Sequence, residues 1–118
     1  MNRRKIGNAG EEQAAAYLRQ MGFTILERNY RTPFGEVDII ALKDEVVVYF
    51  EVKYRSTVNY GDPLEAVNYK KQRQISRVAN YHYASYARER ELPCRFDVIG
   101  IYGDGTIRHI ENAFYYQE

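Results

Sequence analysis

The sequence predicts one α/β domain in which a mixed β-sheet is flanked by helices. Three observations predict it. The 118 residues suffice for one domain of ordinary size. Segments with helical and strand periodicity follow in the order helix, three strands, helix, two strands. With 45% hydrophobic and 28% charged residues, the composition is that of a globular chain. We expect the domain to span residues 1–118, with residues 1–6 as a flexible basic tail.

The first half of the chain is predicted to hold a helix and three strands. Residues 8–21 carry apolar side chains at helical spacing, with Asn8 as the predicted cap and Gly22 as the stop. The remaining elements of this half are a strand, a turn and two further strands joined at Asp44–Glu45: residues 23–31, 33–35, 36–43 and 46–55.

The second half is predicted to hold a helix and a strand pair. Asp62, Pro63 and Glu65 have the order of a helix start, with a cap, a proline at the first position and an acid at the third. An apolar stripe extends this helix to about residue 89. Residues 95–102 and 106–110 form the closing strands.

Several classes of protein are excluded by residue counts and motifs. One cysteine and two histidines fall one ligand short of a structural zinc site. The chain carries no Walker, dinucleotide-binding or nucleophile-elbow motif. No apolar run approaches the ~20 residues of a membrane span, and an acid-rich segment follows the basic N-terminus, which argues against a secretory signal. Because Cys94 has no partner for an internal disulfide, we expect a cytoplasmic protein.

Positive charge is concentrated in the middle of the chain. From Lys53 to Arg77 there are six bases and two acids, whereas the whole chain carries a net charge of only +1. This pattern indicates a local site for a polyanion such as DNA, although a solvated helix face is the alternative. The residues expected to contact nucleic acid are Tyr54, Arg55, Lys70, Lys71, Arg73 and Arg77.

The most informative feature is a set of acids inside two strand-like runs. If the turn is centred on Asp44–Glu45, opposed residues have numbers that sum to 89, so Asp38 faces Glu51 and Glu36 faces Lys53. The other face of this hairpin is then wholly apolar and pairs Val37 with Val52, Ile39 with Phe50 and Ala41 with Val48. A slip of one residue would drive carboxylates into the core, so the hydrophobic pattern selects this register.

Opposed carboxylates repel each other unless a proton or a cation lies between them. An all-oxygen site suits a hard divalent cation, and we expect Mg²⁺, with Mn²⁺ as a substitute. Lys53 lies ~6.6 Å along the strand from Glu51 on the same face, where its ammonium could bind a phosphate oxygen or orient a water. The alternative is a solvated face with two cross-strand ion pairs.

Asp38 followed by Glu51-x-Lys53 resembles the PD-(D/E)xK nuclease superfamily, although Val37 stands where the superfamily name has proline. Nearly the whole chain is also similar to the YraN-like family of small bacterial proteins, which are labelled endonucleases. The matching segments are Gly7-x-x-Gly10-Glu11, Ile25-Leu26-x-x-Asn29-Tyr30-Arg31, Gly35-Glu36-Val37-Asp38-Ile39-Ile40, Glu51-Val52-Lys53-Tyr54-Arg55, Lys71-Gln72, Arg95-Phe96-Asp97-Val98 and Asn112-Ala113-Phe114.

The resemblance implies a restriction-endonuclease-like fold and a metal-dependent endonuclease that acts on DNA. It implies metal ligation by Asp38 and Glu51, a catalytic or phosphate-contacting Lys53 and a supporting carboxylate at Glu11. A glutamate on the first helix also resembles archaeal Holliday-junction resolvases, which points to branched or repair intermediates, and symmetric cleavage would favour a homodimer. Two other functions stay open: a catalytically silent nucleic-acid-binding protein that uses the same basic surface, and a protein-interaction module.

Overall fold

The computed structural model describes residues 3–55 and 67–118, with side chains from residue 10 onward. Within these ranges the elements follow the predicted order, which confirms the α/β class. They are α1 (Arg3–Gln20), β1 (Thr24–Thr32), β2 (Gly35–Lys43), β3 (Val46–Arg55), α2 (Tyr69–Tyr86), β4 (Cys94–Tyr102) and β5 (Ile107–Phe114). No helix among the described residues is both long and apolar enough to cross a membrane.

The five strands form one mixed sheet in the order β1-β2-β3-β4-β5. The β3–β4 pair is parallel and the other pairs are antiparallel. A parallel pair requires a long crossover, and the connection that carries α2 provides it. One core cluster joins Leu18 of α1 to Ile39 and Phe50, and the other joins Ile75 of α2 to Ile40. Because neighbouring strand residues point to opposite faces, the two helices cover opposite faces of the sheet.

The predicted register of the β2–β3 hairpin is confirmed from Ile39–Phe50 to Lys43–Val46. Asp44 and Glu45 both have positive φ, 51° and 62°, as a two-residue turn of the type that matches strand twist requires. The ladder stops at Ile39–Phe50, so three pairs expected beyond it, Asp38–Glu51, Val37–Val52 and Glu36–Lys53, are not formed as ladder pairs.

Alternation along β2 also changes at this point. Val37 packs in the α2-side core together with Ile40, although the two residues are three positions apart. The expectation that Val37 and Ile39 lie on one apolar face of the hairpin is therefore wrong. The reason is that β2 parts from β3 beyond Ile39, so the strict two-residue period no longer applies to the residues before it.

Both helices begin at other positions than expected. Helix α1 begins at Arg3, so Asn8 lies inside it, and residues 3–6, expected in a tail, are helical. Arg and Lys are good helix formers, which favours this extension. Helix α2 begins at Tyr69, with the Asn68 side chain accepting from the Lys71 amide at 2.9 Å, so one continuous helix from residue 62 to 89 is not formed. The start predicted at residues 62–65 lies outside the described residues.

Candidate metal and nucleic-acid site

The site begins where β2 and β3 separate. Oδ2 of Asp38 accepts a hydrogen bond from the backbone amide of Val52 at 2.8 Å. The carboxylate therefore occupies the place that a β2 carbonyl would take if the ladder continued past Ile39–Phe50. This contact satisfies the Val52 amide and fixes the orientation of Asp38 without any neighbouring side chain.

Glu51 of β3 is the second carboxylate of the site and is only 4% exposed. Its Oε1 atom lies 3.5 Å from Nζ of Lys53 and 3.7 Å from Nζ of Lys71. Lys53 comes from the same strand, whereas Lys71 comes from the first turn of α2. Lys71 was expected to contact phosphate, and the structure brings it to the carboxylates instead of leaving it on a separate basic face.

Burial disfavours the ionised form of both carboxylates. Burial, and then the neighbouring charge of Glu51, raise the pKa of Asp38 to about 7, although the Val52 amide and Lys71 act in the opposite direction. Burial also raises the pKa of Glu51, against the lowering effect of Lys71 and Lys53. A bound cation would favour the ionised form of both side chains.

The donor set fits a divalent cation held through few protein ligands. Mg²⁺ is commonly bound by one or two carboxylates, and waters and substrate phosphates complete its octahedron. Asp38 and Glu51 supply two hard oxygen ligands of this kind. Over residues 10–55 and 67–118, no group of three or more His, Cys, Asp or Glu side chains is arranged to hold a metal.

The other acids expected near the site have different partners. Oε2 of Glu11 accepts a hydrogen bond from the side-chain amide Nδ2 of Asn29 at 3.2 Å. Oε2 of Glu36 lies 3.4 Å from Nε of Arg31, its partner in the β1–β2 ladder, which replaces the expected pairing with Lys53. Among the described residues, the structure therefore does not bring Glu11 or Glu36 into a three-carboxylate cluster with Asp38 and Glu51.

Tyr54 and Arg55, both expected to contact nucleic acid, end β3. The Tyr54 ring lies against α1, where a Cβ added to Gly10 would be 3.5 Å from it. Tyr54 is therefore not among the residues that line the basic cavity described next. Nε of Arg55 is buried and has no hydrogen-bond partner among the described residues.

A basic cavity of about 530 Å³ lies between the β1–β2 turn and α2. Four cations that were predicted to contact phosphate line it together with three residues that were not: Lys70, Lys71, Arg73, Arg77, Phe34, Asn68 and Gln74. Because Lys71 both lines the cavity and lies 3.7 Å from Glu51, the cavity adjoins the carboxylates. The structure thus joins the basic stretch and the acids into one site.

Sequence reasoning missed Phe34 and Gln74. The available signal for Phe34 was a large aromatic residue directly after Pro33 in a predicted turn, where polar residues are usual. Gln74 carried no such signal, since a glutamine on a helix surface is ordinary.

A second polar cluster lies on β4 and β5 and was also missed. Asp97, fully buried, accepts hydrogen bonds from Arg95, from His109 at 2.7 Å and from the Asn112 amide at 2.9 Å. His109 Nδ1 is in turn 3.0 Å from the Tyr17 hydroxyl of α1. These contacts tie α1 to β4 and β5 around a charge that would otherwise be buried alone, which indicates a structural role.

The chain resembles a family over most of its length. The model of the uncharacterised protein family UPF0102 matches residues 10–101. A UPF0102 protein of Thermodesulfovibrio yellowstonii is 46% identical over 115 residues, covering 98% of this chain and 100% of the relative. UPF0102 proteins of Caldicellulosiruptor saccharolyticus and Clostridioides difficile are each 44% identical, covering 97% of this chain and 100% of each relative. The chain therefore belongs to the UPF0102 family, which is the YraN family that its sequence motifs resemble.

Proposed function

We propose that this protein is a metal-dependent endonuclease that hydrolyses phosphodiester bonds in DNA. The observation that carries the proposal is the pair of half-buried Asp38 and buried Glu51, which adjoins the basic cavity and has two lysines beside Glu51. Acids whose pKa is raised by their surroundings, and which lie beside a cleft, are candidates for a functional site. Cations on the adjoining surface provide what a polyanionic substrate requires.

Asp38 and Glu51 would hold Mg²⁺, or Mn²⁺ in its place, which when bound supplies a water of lowered pKa and a positive charge for the phosphate. The Val52 amide keeps Asp38 in one orientation, so this ligand needs little reorganisation on binding. The ammonium of Lys53, which lies 3.5 Å from Glu51, would donate hydrogen bonds to a phosphate oxygen as negative charge develops there. Lys71 offers a second donor from α2.

The remaining cations hold the substrate. Lys70, Arg73 and Arg77 recur at intervals of three and four residues and share one face of α2. Contacts of this kind bind phosphates and position the backbone without reading base sequence. Affinity for DNA is therefore expected to fall steeply with salt and to depend little on sequence.

The test is cleavage of linear duplex, single-stranded and four-way-junction DNA with Mg²⁺, Mn²⁺ or EDTA, by the wild type and by Asp38→Asn. Asparagine keeps an acceptor for the Val52 amide but removes the charge, so the variant should fold and lose at least about a hundredfold in rate. Glu89→Gln serves as the matched control, because Glu89 is exposed and lies beyond the C-terminal end of α2. Salt-sensitive binding with no cleavage under any condition would instead support a silent binding protein, and absence of DNA binding would support an interaction module.

A further inference from the structure

Phe34 is a large apolar residue whose side chain is exposed. It lies in the turn between β1 and β2 and is 49% exposed. Its amide donates to the Thr32 hydroxyl at 3.1 Å, so the turn itself is held by polar contacts and does not depend on the ring. In the described part of the chain, Phe34 belongs to neither core cluster. The ring instead forms one wall of the basic cavity.

The position of this wall is fixed by contact between the turn and α2. Gly35, next to Phe34, has φ of 139°, which favours glycine. A Cβ built on Gly35 would lie 2.8 Å from Cγ of Gln74, so the missing side chain leaves room for the Gln74 side chain of α2 against the turn. The ring and the α2 cations therefore face one cavity in a defined arrangement.

The lining of the cavity combines two chemistries. Lys70, Arg73 and Arg77 bring positive charge, and no carboxylate lies among the described residues that line it. This charge disfavours an apolar ligand or a cation, while the ring adds nothing to the binding of a bare phosphate. A ligand with both phosphates and a flat aromatic face uses both parts of the lining.

We propose that this cavity receives one unpaired nucleotide, whose base stacks on Phe34 while its phosphates contact the α2 cations. The inference rests on the proposed function and names its substrate class, which is single-stranded or strand-separated nucleic acid. In an intact duplex the faces of each base are covered by neighbouring pairs, so no face is available to Phe34. A volume of about 530 Å³ is in the range of cavities that enclose one small ligand.

The test measures affinity in EDTA, where hydrolysis cannot occur, by fluorescence anisotropy. The probes are a labelled oligothymidine and a blunt duplex of the same length. Phe34→Ala should weaken binding of the oligothymidine about 5- to 100-fold and leave duplex affinity within about twofold. Phe34→Tyr restores a flat ring and should bind like the wild type. Tyr81→Ala is the control. It removes an exposed aromatic side chain that lies on α2 and outside the cavity lining, so it should change neither the affinity for oligothymidine nor that for the duplex.

Two results would overturn the inference: equal effects of Phe34→Ala on both probes, or inorganic pyrophosphate competing as well as oligothymidine does. Failure here is distinct from failure of the proposed function. Asp38-dependent cleavage together with Phe34-independent binding would leave the nuclease standing and remove the nucleotide cavity. Phe34-dependent binding of the single strand with no cleavage would do the reverse. Thermal unfolding monitored by circular dichroism verifies that each variant is folded.

Discussion

Asp38 and Val52 face each other across the point where two strands separate, and the aspartate carboxylate accepts the valine amide at 2.8 Å. A side chain thus takes the place of a backbone carbonyl in the ladder. The arrangement satisfies a part-buried amide and at the same time places Asp38 beside Glu51, whose charge raises the pKa of Asp38.

Asp38→Asn should stabilise the metal-free protein at high pH. Because the folded protein holds the Asp38 proton with a pKa of about 7, against an ordinary value of 3.8, wild-type stability falls as pH rises from about 4 to about 7. Asparagine does not titrate. The free energy of unfolding of the variant should therefore exceed that of the wild type by on the order of 2 kcal/mol near pH 8 and by almost nothing near pH 4. Urea unfolding in EDTA measures this difference, with Glu89→Gln as an exposed control. A pH-independent difference would contradict the explanation.

Mg²⁺ should bind the wild type more tightly near pH 8 than near pH 6, because both carboxylates must lose their protons to act as ligands. Either Asp38→Asn or Glu51→Gln should weaken binding at least about tenfold. Glu11→Gln should stay within about twofold, since Glu11 is hydrogen-bonded to Asn29. Titration calorimetry checks all three variants. A loss in Glu11→Gln as large as in Asp38→Asn would place Glu11 among the ligands.

Gly35→Ala should lower the free energy of unfolding by about 2–4 kcal/mol, because a Cβ adds both strain at φ of 139° and a clash with Gln74. Gly105→Ala is the matched control, since Gly105 also has positive φ, 89°, but its Cβ would meet open space, and it should cost only about 1 kcal/mol. Adding Gln74→Ala to Gly35→Ala should recover the part of the lost free energy of unfolding that comes from the clash with Gln74. Chemical denaturation measures all of them, and equal costs at the two glycines would exclude the packing explanation.

Asp97→Ala should lower the free energy of unfolding by about 3–5 kcal/mol near neutral pH. The reason is that it leaves Arg95, His109 and the Asn112 amide without their acceptor. Burial opposes ionisation of Asp97, but these donors together lower its pKa. Stability from this charge is therefore present above about pH 4 and lost as pH falls through the lowered folded pKa. The difference in free energy of unfolding between the wild type and Asp97→Ala should therefore become smaller at acid pH. Asp104→Ala removes an exposed acid that accepts from the Thr106 amide, and it should lower the free energy of unfolding much less than Asp97→Ala does.

The order of the elements, the hairpin register from Ile39 to Lys43 and the α/β class were predictable from the sequence. They depend on local periodicity, turn chemistry and the need to bury one face of each strand, all of which act between near neighbours. The exact starts of both helices were not predictable. Several polar residues before α2 could act as its N-cap, and Asn68 is the one that does so in the folded protein. Only the packing of the helix decides between them.

The sequence by itself determined that acids lie inside two strands and that a basic segment follows them. Only the tertiary structure decided that the ladder ends beyond Ile39, that Lys71 reaches Glu51 and that Phe34 and the α2 cations share one cavity. The physical reason is that the ladder ends where a side chain replaces a backbone acceptor, and that the contacts of Lys71 and Phe34 join elements far apart in the chain. Their geometry depends on how the helix packs on the sheet, and a pattern of neighbouring residues does not encode that packing.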